Sequence, residues 1–303
     1  MDHVRFQPEA SDLDPPPSTL IAAFAGWNDA GQAATAAVRF AIDTLDAQEV
    51  ASIDPEEFYD FTSARPVVRI GPDEMRALEW PANRFFLHLK QERGFVFLLG
   101  DEPHLRWRAF TSAVLEVAAR LNCRRIVALG GLVGNAVHTR PVPVFGYALD
   151  PTLRPRFEAR RIGGSRYEGP TGIVGALLDR CRRELIPAGS LWAAVPQYLG
   201  VTPNPKAALA LLEALDSIVD IGLNFRELRT AAAEFEESVT KAVSGNQEAL
   251  DLIRLLERQY DEAASADPGA PGRPSGDADL PPPAAIIEDL EEFLRRQRKG
   301  GQP

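Results

Sequence analysis

Three features of the sequence predict an α/β fold, a three-layer α/β/α sandwich with a mainly parallel or mixed sheet and a C-terminal helical hairpin. Short apolar runs alternate with helical periods from residue 19 to residue 224, and such alternation is satisfied by helices packed on both faces of a sheet. Two of the runs, "RRIVALGGLV" and "SLWAAVPQYL", carry a continuous apolar stretch, as strands buried on both faces do. With 303 residues, 45% of them hydrophobic and 25% charged, the chain suffices for one large core plus an appendage.

Residues 1–18 are polar and end in Pro15, Pro16 and Pro17, which fit neither a helix interior nor a central strand, so a disordered lead-in is expected. The core domain, residues 19–224, opens with "TLIAAFAG" as a strand and continues into a helix from residue 32 to residue 45. The runs "RPVVRI", "RFFLHL" and "FVFLLG" follow as strands, and residues 104–121 form a helix with Phe110, Val114, Val117 and Leu121 on one face. After "RRIVALGGLV" and "VPVFGYAL" comes a helix over residues 171–186, whose Ile173, Val174, Leu177, Leu178, Cys181 and Leu185 make an inward stripe. "SLWAAVPQYL" is the last strand, and residues 207–219 a helix led by Pro203-Asn204-Pro205.

The alternation stops at residue 224. Residues 225–265 carry two helical patterns, the first through Leu228, Phe235, Val239 and Val243, the second through Leu250, Ile253, Leu256 and Tyr260. Gly245 ends one and Asn246 caps the other, predicting a helical hairpin. Residues 266–283 form a Pro/Gly linker, and residues 284–299 a tethered amphipathic tail helix with Ile286, Leu290, Phe293 and Leu294 on one side.

Composition excludes two partner classes. With 43 acidic against 33 basic side chains and a formal charge of -10, phosphate backbones and anionic lipid surfaces are repelled, so neither nucleic acid nor membrane is expected. Cys123 and Cys181 lack a CxxC spacing, which argues against a disulfide framework or structural zinc. The first residues lack an apolar signal core, and no apolar run reaches about 18 residues, so a cytoplasmic location is expected.

Three glycine-rich junctions hold the candidate ligand-binding residues Trp27, Asn28, Asp29, His138, Thr139, Arg140, Glu168 and Thr171. In the first, Gly26 and Gly31 have phosphate-loop spacing, but Gln32 and Ala33 stand where lysine and a hydroxyl belong. Asn28 and Asp29 are suited to cap the following helix, whereas Trp27 stands at a strand's C-terminal end, where open α/β sheets place ligands. In the second, His138 offers a general base and Arg140 an anion clamp, or the loop is simply pinned by polar contacts at a subunit boundary. In the third, Thr171 offers a hydroxyl cap and Glu168 a carboxylate beside a helix start. A polar knot of Asp101, Glu102 and His104 is expected to cap the helix after it. No GxSxG elbow or HExxH pair occurs, and His3, His88, His104 and His138 are not at metal-ligand spacings. No catalytic residue, metal or cofactor is therefore expected.

The junctions "AFAGWNDAGQAA", "GDEPHLRWRAF", "ALGGLVGNAVHTRPVPVFG", "YEGPTGIVGALL" and "AAVPQYLGVTPNPKAALALLEAL", in this order, resemble the bacterial, actinobacterial-type branch of the proteasome assembly chaperone 2 family. The resemblance covers residues 19–219 and implies a phosphorylase-like fold and a ring-like homo-oligomer, a trimer. It also implies a non-catalytic protein-interaction scaffold with proteasome subunits as partners: eukaryotic members help build the proteasome α-ring, and archaeal relatives are linked to proteasome assembly or activation. It transfers no catalytic residue. The alternative is a small-molecule-binding protein or enzyme acting on an anionic or nucleoside-type ligand. The chain ends "RKGGQP", without the terminal apolar or aromatic anchor that proteasome-docking tails use. Partner binding is accordingly expected through the helical hairpin or the tail helix.

Overall fold

Strand β2 (Thr19–Ala25) runs through the middle of an eight-stranded mixed sheet, in a computed structural model that describes residues 3–7, 19–71, 74–90, 93–164 and 167–266. The tail helix, the linker from residue 267 onward and residues 8–18 of the lead-in lie outside the described residues. Beside β2 lie β7 (Arg93–Asp101) and β8 (Arg125–Gly134), and β10 (Ala188–Pro196) follows β8, all four parallel. Antiparallel strands close the sheet. On one side are β6 (Asn83–Lys90), β3 (Gln48–Ile53) and β1 (Val4–Phe6); on the other is β9 (Val144–Ala148).

The uninterrupted apolar runs are explained by burial on both faces. In β2, Ile21 and Ala23 enter one core while Leu20, Ala22 and Phe24 enter the other. The first core is covered by α1 (Ala33–Thr44), α3 (Arg154–Ala159) and α5 (Pro205–Val219). The second is covered by α2 (Trp107–Arg120) and α4 (Ile173–Arg183). Asn204 caps α5 by accepting from the Ala207 amide at 3.0 Å, with Pro205 in the first turn. Among the described residues no helix is long and apolar enough to cross a membrane.

Helices α6 (Arg226–Val243) and α7 (Gln247–Ala266) form the expected hairpin. Their buried side chains, including Leu228, Val239, Val243, Ala249 and Ile253, belong to the same core as α1 and α5. The apolar stripe is thus spent on the body, and the outward surface is charged.

Two expectations need correction. The lead-in is not disordered throughout: Val4–Phe6 pair antiparallel with β3, and the Arg120 guanidinium lies 4.0 Å from the centre of the Phe6 ring. An edge strand with open amides and carbonyls invites such pairing. "RPVVRI" does not join the main sheet. It supplies β4 (Val67–Ile70), which pairs only with β5 (Arg76–Glu79) in a separate two-stranded arm.

Candidate functional site

The carboxyl ends of β2, β7, β8 and β10 meet the glycine-rich corners at one rim of the sheet. After β2, Gly26 takes φ +124° and Gly31 φ +62°, backbone regions that favour glycine. They fold residues 26–32 into a tight turn before α1. Asp29, 6% exposed, accepts from the amides of Ala34 at 2.8 Å and Thr35 at 3.2 Å and from the Thr35 hydroxyl. The first turn of α1 is thereby capped from upstream, as the sequence predicts for Asp29. Burial raises the Asp29 carboxyl above the usual range, against the pull of its hydrogen bonds to Thr35 and Ala34.

Asn28 does something else. Its Nδ2 donates to Glu102 Oε1 at 2.8 Å, and its carbonyl accepts from the Gly131 amide at 2.8 Å. Glu102 Oε1 also accepts from the Ile173 amide at 2.7 Å, and Glu102 Oε2 from the Trp27 amide at 3.3 Å. One carboxylate therefore ties the first corner to the start of α4. This corrects two expectations. Thr171 does not cap α4, because the capping position is Gly172 and the carboxylate comes from Glu102. Nor does the Asp101–His104 knot cap α2: the residue before α2 is Arg106, without a side-chain cap, while His104 Nδ1 accepts from the Asp60 amide at 3.1 Å.

The eight candidate residues are not gathered in one place. Trp27, Asn28 and Thr171 line a cavity of about 580 Å³ together with Val133 at the end of β8, Tyr167 and Trp192. Trp27, 63% exposed, also borders a second cleft of about 770 Å³, where Asp29, Arg39, Glu79, Arg84 and Asp101 bring charges of both signs. Glu168 is exposed. All three corners thus contribute to one rim.

His138, Thr139 and Arg140 line neither cavity. They fasten the end of β8 to the helical hairpin. Arg140 makes a two-pronged contact with Asp261, both distances 2.9 Å, and reaches Glu257 Oε1 at 3.1 Å. Thr139 donates to the same Glu257 oxygen at 2.5 Å. These polar contacts are made inside the chain, not at the subunit boundary expected for a pinned loop. Local pattern gave no sign of this pairing, since Arg140 and Asp261 are 121 residues apart.

His138, 3% exposed, has a backbone amide that donates to the Tyr198 hydroxyl at 3.0 Å. That hydroxyl lies 2.8 Å from His138 Nδ1, so its proton is directed there. Nε2 then carries the ring hydrogen, 3.2 Å from the Thr240 hydroxyl, which itself donates to the Glu236 carbonyl. Burial brings the imidazole down to about 4, Glu236 pulling the other way. An unfolded chain takes up this proton near 6.5, whereas the folded one refuses it until about 4. Stability is therefore expected to fall as pH drops through that window. Denaturant titrations from pH 7 to pH 4 check it: His138→Gln should show a flatter acid limb than the parent chain.

Among the described residues no cluster of three or more metal-ligating side chains occurs, and Cys123 and Cys181 are free thiols. Burial pushes both thiols up to about 12, leaving them un-ionised at neutral pH.

Three solved structures resemble the chain closely in fold. A PAC2 family protein from Streptomyces avermitilis is 39% identical, with a TM-score of 0.71 over 77% of this chain and 98% of that one. A proteasome-assembly chaperone homologue from Mycobacterium tuberculosis is 37% identical, with a TM-score of 0.69 over 77% and 98%. A protein of unknown function from Corynebacterium glutamicum is 25% identical, with a TM-score of 0.78 over 87% and 99%. No curated protein matches the chain. A family model described as the PAC2 family matches residues 23–243, from within β2 to the end of α6. With that span matched, and with two solved relatives above 35% identity, the chain belongs to the PAC2 family.

Proposed function

We propose that this chain is a non-catalytic protein-interaction scaffold that works in the cytoplasm as a homotrimer and binds proteasome subunits during their assembly. Kinship with a proteasome-assembly chaperone homologue supports the partner class. The observation that carries the interaction role is the β4–β5 arm. Val68 pairs with Leu78 and Ile70 with Arg76, which puts Val68, Ile70 and Leu78 on one face of the ribbon, with Arg76 beside them. They are 53%, 68% and 56% exposed. A two-stranded ribbon is marginal in water unless its apolar face is covered, and the opposite face is already served by the Arg69–Glu79 ion pair at 2.8 Å. The arm is thus an exposed apolar surface suited to a partner, whereas the outer surface of α6 and α7 among the described residues is charged.

The anionic-ligand alternative draws no support from Arg140, whose guanidinium is engaged by Asp261 and Glu257. Analytical ultracentrifugation with purified proteasome α-subunits tests the proposal. The full chain should sediment as a trimer and shift on adding α-subunits. Replacing Val68, Ile70 and Leu78 by Ser should weaken that association by about tenfold or more while leaving the melting temperature unchanged. A parent chain that ignores α-subunits overturns the reading.

A further inference from the structure

We propose that the cavity of about 580 Å³ between the three corners is a binding site for a small, uncharged, flat aromatic molecule. Its wall carries five aromatic side chains, Trp27, Phe145, Tyr147, Tyr167 and Trp192, on a floor from β8, β9, β10 and α4. Among the described residues that line it, none is Lys, Arg, His, Asp or Glu. An ion seated against these rings would exchange part of its hydration for apolar surface, which disfavours it. A neutral ring loses little and gains offset or edge-on contacts with its neighbours. The size lies within the ordinary range for small-molecule sites, about 300–1,000 Å³.

The cavity has a built wall. A side chain at Gly130 would put its Cβ 2.3 Å from the Trp192 ring, so glycine there is what lets the indole lie across β8. Trp192 Nε1 donates to the Ser190 hydroxyl at 3.1 Å, which fixes the ring. Asn28, 2% exposed, belongs to the same wall and keeps a buried Oδ1 with no hydrogen-bond partner. The Asn28 side chain is held from behind by Glu102, to which its Nδ2 donates at 2.8 Å, so this part of the wall is fixed. The charged cleft on the other side of Trp27 has the opposite character, with Arg39, Arg84, Asp101 and Glu79 around it. This proposal stands apart from the scaffold role, since none of the five aromatic residues belongs to β4 or β5.

Titration of the full chain with benzimidazole, neutral at pH 7.5, flat and carrying one N–H, tests it by calorimetry and saturation-transfer NMR. Benzoate and inorganic phosphate serve as charged comparators. Saturable binding of benzimidazole at one site per chain is expected, with benzoate weaker by about tenfold or more and phosphate without effect. Trp27→Ala and Val133→Glu, both at half-exposed or more exposed positions, should each weaken benzimidazole by about tenfold and leave the melting temperature in place. Absence of saturable binding, equal binding of benzoate, or indifference to both substitutions overturns the proposal. A cavity sealed by a second copy of the chain gives the first of these outcomes.

Discussion

Gly131→Ala is expected to cost about 2–3 kcal/mol, although it adds a single methyl group. The new Cβ would lie 2.6 Å from the Ala30 carbonyl oxygen and 3.2 Å from both the Ala30 nitrogen and the Ala33 Cβ. Two of those three atoms are backbone and cannot rotate aside. The corner cannot drift away either. The Gly131 amide donates to the Asn28 carbonyl at 2.8 Å, Asp29 forms a β-bridge with Gly131, and on the far side the Gly31 amide donates to the Gly200 carbonyl at 2.6 Å. Relief must come from spreading β8 from the turn, which pulls Asp29 off the first turn of α1 and exposes its amides. Thermal unfolding should show a fall of about 3–5 °C for a chain of this size. Gly245→Ala is the matched control, because nothing lies within 4 Å of its added Cβ, and it should melt within about 2 °C of the parent. If Gly131→Ala also melts there, the corner is more compliant than these contacts allow.

What the sequence revealed and what it concealed divide along a physical line. The four parallel strands were legible because burial on both faces leaves apolar runs, as in Leu20–Phe24 and Ile126–Leu129. The hairpin was legible from its stripes and from Gly245 and Asn246. Strand β3, "QEVASI", was not, since its six residues do not alternate and the register shifts between Glu49 and Ala51. The short α3 and the strand β5 carry too few residues for a period to emerge. "RPVVRI" was legible as a strand but its partner was not, for local pattern measures propensity and cannot say which neighbour a strand will pair with.

The candidate site shows the same limit. Trp27, Asn28 and Thr171 do share a cavity wall, and Asp29 caps α1 as its position foretold. His138, Thr139 and Arg140 had the right chemistry for a site, but their partners on α6 and α7 lie about 100 residues or more away along the chain. Phe145, Tyr147 and Trp192 went unmarked because aromatic residues in strands read as core. Only the missing side chain at Gly130, directly beneath the Trp192 ring, hints that this indole borders a space.

Glu102 was read for the wrong helix, and its substitution is the second large effect expected. Glu102→Ala should cost about 2–3 kcal/mol, the sum of a lost helix cap and of buried donors left unmet. Three donors converge on this carboxylate from two separate corners: the amides of Trp27 and Ile173 and the Nδ2 of Asn28. Asn28 already has an unpartnered Oδ1, so losing Glu102 strands both ends of a buried amide. The negative charge also faces the start of α4, whose last turn carries Arg180, Arg182 and Arg183, and both ends then complement the helix dipole. Glu102→Gln separates shape from charge. Its single carbonyl can stand in for Oε1 and keep the two shorter contacts, losing only the 3.3 Å contact to Trp27, so it should retain most of the stability that Glu102→Ala loses. Hydrogen exchange at the Ile173 amide provides the local readout, fast in Glu102→Ala and slow in Glu102→Gln. In the double variant with Asn28→Ala the losses should be less than additive, because the stranded amide is then gone. Strict additivity, or slow exchange at Ile173 in Glu102→Ala, would mean that the corners are held together by their backbone contacts and that this carboxylate is incidental to them.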